Sequence, residues 1–151
     1  MNPEDDEMMA DALVMTALAT VAVIYRLAAE HDLSLTQVRV FGILRDRRRS
    51  RMSRLAQRLG LDTSTLSGLV ARAEKRGWLQ RLPAEDDKRA VDVVLTPAGA
   101  ELAERLHREL NAALIPMTER LSAAERRRLH LLLRKSLGET PGQLNEPDGR
   151  A

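Results

Sequence analysis

Apolar residues recur at helical spacing through most of this chain and alternate like a strand in one place only. Residues 8 to 31 are rich in Ala, Leu, Met and Val with no internal Gly or Pro, which predicts one long helix. Ser34-Leu35-Thr36-Gln37 has the spacing of a capping box and opens a second helix, with Leu35, Val38, Phe41 and Leu44 on one face. Arg45 to Arg51 is too charged to bury and reads as a connector. Ser53 is placed to cap a short third helix, with Leu55, Ala56 and Leu59 inward and Gly60 at its end. Asp62 or Thr63 opens a fourth, which carries Leu66, Leu69, Val70 and Ala73 and stops at Gly77.

The period then changes. Trp78 to Leu82 and Val91 to Leu95 have strand composition, with Val91, Val93 and Leu95 on one face, and Pro83 to Ala90 forms the polar loop between them. Thr96-Pro97 starts a fifth helix, a capping hydroxyl followed by proline at the first helical position. Leu102, Leu106, Leu110 and Leu114 form its stripe, and Pro116 should kink or end it. Ser122-Ala123-Ala124-Glu125 is a second capping box and opens a last helix with Leu129, Leu132, Leu133 and Leu137. From Gly138 onward, Pro141, Gly142, Pro147 and Gly149 predict a flexible tail.

The expected fold is therefore mainly α with a small β-hairpin wing. A winged helix-turn-helix lobe occupies residues 35–96, and residues 8–34 and 97–138 form a helical region. An acidic disordered N-terminus (1–7) and a flexible tail (139–151) flank them. The terminal helices are too apolar for a monomer whose central lobe already has a complete core, so they are expected to bury one another in a homodimer.

Charge sharpens this picture. The net charge is only +2, but Arg39 to Ala90 holds fourteen Lys and Arg against six Asp and Glu, while Met1 to Ser34 holds one against seven. A basic segment inside a near-neutral chain is the footprint of a polyanion. There are no cysteines, which removes disulfides, thiolate metal sites and cysteine redox sensing and fits the cytoplasm. His31, His107 and His130 contain no i, i+4 pair, so no metal or other cofactor is expected. The acidic N-terminus lacks the order of a signal peptide, and no apolar run approaches the ~18 residues of a membrane span. An enzyme is disfavoured, because the chain has no Gly-rich phosphate loop and no His set beside a nucleophile and a carboxylate.

The candidate chemistry sits on the fourth helix and the loop. A helix entering a major groove presents short polar side chains at its N-terminal end. Here Thr63, Ser64, Thr65 and Ser67 face outward while Leu66, Leu69 and Val70 face the core, and Gly68 allows close approach. One or two of these hydroxyls would serve as caps in any helix, but four exceed that need. Arg54 and Arg72 are placed to reach phosphates. At the loop tip, Lys88 and Arg89 can reach a minor groove, with Asp87 pairing to Arg89 and fixing its direction.

Residues 34 to 138 resemble the MarR family of winged-helix transcriptional regulators. The resemblance rests on Leu55-Ala56-Gln57-Arg58-Leu59-Gly60-Leu61, on Arg72 to Arg81, and on Asp87 to Thr96 followed by Pro97-Ala98-Gly99. The last holds the family's wing pattern: an aspartate and an arginine two apart, five residues, then Leu-Thr. The resemblance implies that residues 63–76 form the recognition helix, that Arg89 reaches the minor groove, and that the first, fifth and sixth helices make the dimer. It also implies a repressor on a pseudo-palindromic operator in double-stranded DNA, commonly released by a small-molecule effector. Tyr25, Arg26, His31, Phe41 and His107 are the polar and aromatic residues nearest the family's effector site, although each type commonly packs or faces solvent. The competing reading is a winged helix used architecturally or for protein contact, without ligand control.

Overall fold

A computed structural model describes residues 3–138, which fall into two compact units divided between Ala112 and Ala113. In chain order the elements are α1 (Pro3–Glu30), α2 (Leu35–Arg47), β1 (Arg49–Arg51), α3 (Met52–Leu59) and α4 (Thr63–Lys75). They continue with β2 (Leu79–Pro83), β3 (Val91–Leu95), α5 (Pro97–Thr118) and α6 (Ala123–Ser136). The strands form an antiparallel sheet in the order β1-β3-β2.

The capping signals are realised in atoms. Ser34 accepts the Gln37 amide while the Gln37 side chain accepts the Ser34 amide, and Ser122 and Glu125 repeat the exchange at α6. Asp62 caps α4, where its Oδ1 accepts the Thr65 amide at 2.8 Å. Thr96 Oγ1 accepts the Gly99 amide at 3.0 Å and donates to the Gly77 carbonyl at 2.6 Å, so one hydroxyl starts α5 and fastens it to the end of α4.

Four expectations need correction. Within the expected disordered lead 1–7, residues 3–7 are helical: α1 begins at Pro3, with proline fitted to a first turn whose Glu4, Asp5 and Asp6 complement the helix dipole. Arg45–Arg51 is not a plain connector, because α2 runs to Arg47, Arg48 turns the chain at φ +60°, and Arg49–Arg51 becomes a third strand. Ser53 does not cap α3, which begins at Met52 after Arg51 with no side-chain cap. By length and composition α1 does reach membrane-spanning size, since Ala and Met carry its apolar run further than Leu and Val alone. Pro116 lies in the last turn of α5, which ends two residues later at Thr118. The expected tail, 139–151, lies outside the described residues.

The core of the first unit is built around Phe41, Leu44, Leu55, Leu66, Val70 and Val93, each no more than 1% exposed. Residues from α2, α3, α4 and β3 thus meet in one cluster, which Leu27 and Ala28 join from the C-terminal end of α1 and Leu102, Ala103 and Leu106 join from α5. Trp78 closes it, edge-on to Phe41 at 5.8 Å and with the Arg76 guanidinium stacked 3.8 Å from its ring centre. Elsewhere α1 is open: Met8, Met9, Leu13, Val14, Met15 and Leu18 are exposed. In the second unit α6 has no buried residue, and Leu131, Leu132 and Leu137 are exposed.

Two tests follow from the junctions. A Cβ on Gly99 would fall 1.8 Å from the Trp78 carbonyl oxygen, which is backbone and cannot step aside. Gly99→Ala is therefore expected to cost about 1–3 kcal/mol or more in urea unfolding, against near-neutrality for substitution of the exposed Gly42. Asp62 is held well below the usual carboxylate range by the Ser64 hydroxyl first, then by the hydroxyl and amide of Thr65. A depressed carboxyl stabilises the fold above its unfolded pKa and loses that contribution as pH falls toward its folded value. Asp62→Ala should therefore melt below the parent at pH 7, with the gap closing as pH drops below about 4.

Candidate nucleic-acid interface

At the start of α4, Thr63, Ser64 and Thr65 are exposed while Leu66 is fully buried. Leu66, Leu69, Val70 and Ala73 point one face of the helix into the core, so the polar face has to point out. Two of its hydroxyls are already committed: Ser64 Oγ donates to Asp62 Oδ1 at 2.5 Å and Thr65 Oγ1 to Asp62 Oδ2 at 2.6 Å. In this arrangement Ser64 and Thr65 offer acceptors outward rather than donors. Ser67 is half-buried, and Gly68 beside it has the Arg72 Nη1 atom 3.8 Å from where a Cβ would stand. Arg72 thus lies along the surface that Gly68 leaves open, exposed and without an ion pair among the described residues.

The loop between β2 and β3 carries Lys88 and Arg89, both exposed. The pairing expected between Asp87 and the Arg89 side chain is replaced by a main-chain bond. Asp87 Oδ1 accepts the Arg89 backbone amide at 2.9 Å, and the Asp87 carbonyl accepts the Ala90 amide. The carboxylate therefore shapes the turn and leaves the guanidinium unbound, a short Asx-type turn winning over an exposed ion pair. Across the loop the Ala84 amide donates to the Ala90 carbonyl at 3.0 Å, closing its base.

Several residues that sequence reasoning passed over hold these two parts in place. Arg81 of β2 donates from Nη2 to the Ser67 carbonyl at 2.6 Å, and its amide donates to Glu74 Oε1 at 2.8 Å. β2 is thereby bonded to α4 at two points through one residue. On the other side of the sheet, Arg49 and Arg51 both donate to Asp92 of β3, from Nε in each case. Arg54 on α3 is exposed and helps hold the Asp86 carboxyl below its usual range, behind the Asp86 amide and Arg51. Periodicity has no means of finding such contacts, since each joins residues of different elements.

The five candidate effector residues occupy separate environments. Tyr25 and Arg26 lie exposed on α1. Phe41 is a core residue, 1% exposed. His107 bonds Asn111 along α5 at 3.0 Å. His31, half-buried at the turn between α1 and α2, bonds Glu109 of α5 at 2.5 Å. Its neighbour Asp32, at φ +53°, receives Arg76 from the end of α4 on both its carbonyl and its carboxylate, at 2.9 and 3.3 Å. That turn therefore touches α5 through one residue and the C-terminal cap of α4 through the next.

Comparison with known proteins meets this geometry. The MarR family model matches residues 33–91, from the end of the α1–α2 turn to the start of β3. The chain is 35% identical over 107 residues to the multiple antibiotic resistance protein MarR of Salmonella typhimurium, covering 70% of this chain and 74% of that one. Among solved structures, a variant of E. coli MarR complexed with operator DNA superposes with a TM-score of 0.69 at 26% identity, covering 91% of this chain and 99% of that one. A MarR family protein from Bacillus stearothermophilus reaches a TM-score of 0.82 over 91% of this chain and 96% of its own, at 20% identity, a likeness of fold alone. With a polar helix face and a basic wing set on that shared fold, the chain belongs to the MarR family of DNA-binding transcriptional regulators.

Proposed function

We propose that this regulator acts as a homodimeric cytoplasmic repressor on a pseudo-palindromic operator in double-stranded DNA, and that a small-molecule effector releases it. The observation that carries the reading is that the polar N-terminal face of α4 and the unpaired Arg89 of the wing are bonded into one body by Arg81. A helix in a major groove and an arginine in the adjoining minor groove need such a fixed separation. Thr63, Ser64, Thr65 and Ser67 then meet base edges, Gly68 allows close approach, Arg54 and Arg72 meet phosphates, and Lys88 and Arg89 enter the minor groove. The operator-bound E. coli relative supports this use of the shared fold.

The dimer reading rests on the exposed apolar residues of α1 and of α6, which each helix would leave in water if nothing covered them. The effector reading rests on the α1–α2 turn, where His31 and Asp32 join α5 to the end of α4. A ligand that separated His31 from Glu109 would act on the recognition helix through Arg76. A regulator without ligand control is the second reading, favoured by one observation: Phe41, one of three aromatic residues in the chain, is spent on the core.

Three outcomes are expected. Selection of sites from random duplex DNA should return a near-palindrome with half-sites about one helical turn apart, and no enrichment would sink the sequence-specific reading. On the selected site, Arg89→Ala should weaken binding by more than about tenfold with the melting curve unchanged, whereas equal titrations would remove the wing from the interface. Sedimentation should give twice the 16.9 kDa chain mass, and a monomer at micromolar concentration would refute the dimer.

A further inference from the structure

Asp92 is one of two buried polar residues among the described residues, yet it does not face the core. Val93 faces the core, so Asp92, one position earlier on β3, projects from the opposite face of the sheet. What covers it there is a pair of arginines. Arg51 stands directly across from it in the β1–β3 register, and Arg49 lies two residues along on the same face. Arg49 Nε donates to Asp92 Oδ2 at 2.7 Å and Arg51 Nε donates to Asp92 Oδ1 at 3.1 Å, leaving the aspartate side chain 11% exposed.

The remaining donors of both arginines reach into the wing. Arg49 Nη1 bonds Glu85 Oε1 at 2.7 Å and Arg49 Nη2 the Pro83 carbonyl at 3.1 Å, while Arg51 Nη2 bonds Asp86. Residues 83, 85 and 86 lead directly to the turn that carries Lys88 and Arg89. The exposed bonds to Glu85 and Asp86 would hold little alone, since water competes for both carboxylates. Anchored on a shielded Asp92, the same two guanidinium groups become fixed planar forks.

We propose that Asp92 is a wing-positioning residue that sets the sequence discrimination of this regulator: through Arg49 and Arg51 it fixes the approach of the Arg89 loop and keeps those two arginines from unspecific phosphate contact. The inference rests on the DNA-binding reading above and goes beyond it, since it assigns two residues of the basic segment to internal work. Without the carboxylate, Arg49 and Arg51 lose the group that neutralises them, the loop loses its anchor, and two cations turn toward solvent beside the interface. The physical consequence is a protein that still holds DNA but reads it less well.

The test is a double-mutant cycle between Asp92→Leu and Arg89→Ala, titrated on the selected site and on a scrambled duplex across a salt series. Leu suits a strand and removes the carboxylate. The expected result is about a tenfold fall in the ratio of specific to scrambled affinity for Asp92→Leu. Scrambled binding should stay equal or tighten, with a steeper salt dependence because two cations are released. Arg89→Ala should cost more than about tenfold in the parent but under about threefold in the Asp92→Leu background, because a misplaced wing has little left to lose. Additive losses, or an unchanged ratio, would overturn the proposal, since a residue that merely stabilised the sheet would not couple to Arg89. If Asp92→Leu fails to fold, Arg49→Gln with Arg51→Gln reads the same coupling: the Arg89 increment should again collapse, here with a shallower salt dependence, and a fully retained increment would overturn the assignment. A parent that does not discriminate the two duplexes would instead strike the DNA-binding reading beneath it.

Discussion

Burial of one face of α4 is the constraint on which the rest of the molecule depends. Leu66, Val70 and Ala73 are fully enclosed and Leu69 nearly so, which fixes the helix about its own axis. Each large side chain so enclosed contributes on the order of 1.5–3 kcal/mol. A rotation that exposed this face would therefore cost far more than polar contacts on the outer face return. The outward direction of Thr63, Ser64 and Thr65 is thus imposed from inside, by hydrophobic contact, before any partner is met. Arg81 then ties the wing to the helix so held, and Thr96 ties α5 to its end.

Cations in this fold divide into two groups with different work. Arg49, Arg51, Arg76 and Arg81 each bond a carboxylate or carbonyl on another element, and each bridges segments far apart in sequence. Arg72, Lys88 and Arg89 are exposed with no ion pair among the described residues. The internal group favours arginine because a planar fork with five donors can serve two acceptors at once, as Arg49 and Arg51 do. A simple count of basic residues over Arg39 to Ala90 therefore overstates the charge left free at the surface.

The helices were legible in the sequence because their signals are local. Ser34 with Gln37, Asp62 before Thr65, Thr96 before Pro97 and Ser122 with Glu125 act within one turn, and the apolar spacing between them names the buried faces. What stayed hidden depends on pairing across distance. Arg49–Arg51 reads as loop because its charged residues alternate around a single Ser, and only the opposing Asp92 makes that alternation a strand. Asp87 and Arg89 have the right spacing for an ion pair, but the aspartate reaches its neighbour's amide first, at lower entropic cost. Val91 shares a face with Val93 yet is exposed, since the sheet outruns the core at the base of the wing.

α1 presents the converse case, in which composition is legible and its meaning is not. A 28-residue helix with mean hydropathy high enough for a membrane span buries only Val23, Leu27 and Ala28, all in its C-terminal third. Leu27 and Ala28 anchor it to a lobe whose other elements carry charged faces suited to water, and Glu4, Asp5 and Asp6 occupy its opposite end. A bilayer would have to accommodate both ends of that arrangement, whereas a second copy of the chain has only to cover the middle. The proposed dimer meets the requirement with apolar area of the same kind from α6, whose leucines are equally exposed. Under that reading the most exposed apolar part of the molecule is also the part that sets its symmetry. The spacing of two recognition helices on DNA would then be decided by helices that never touch it.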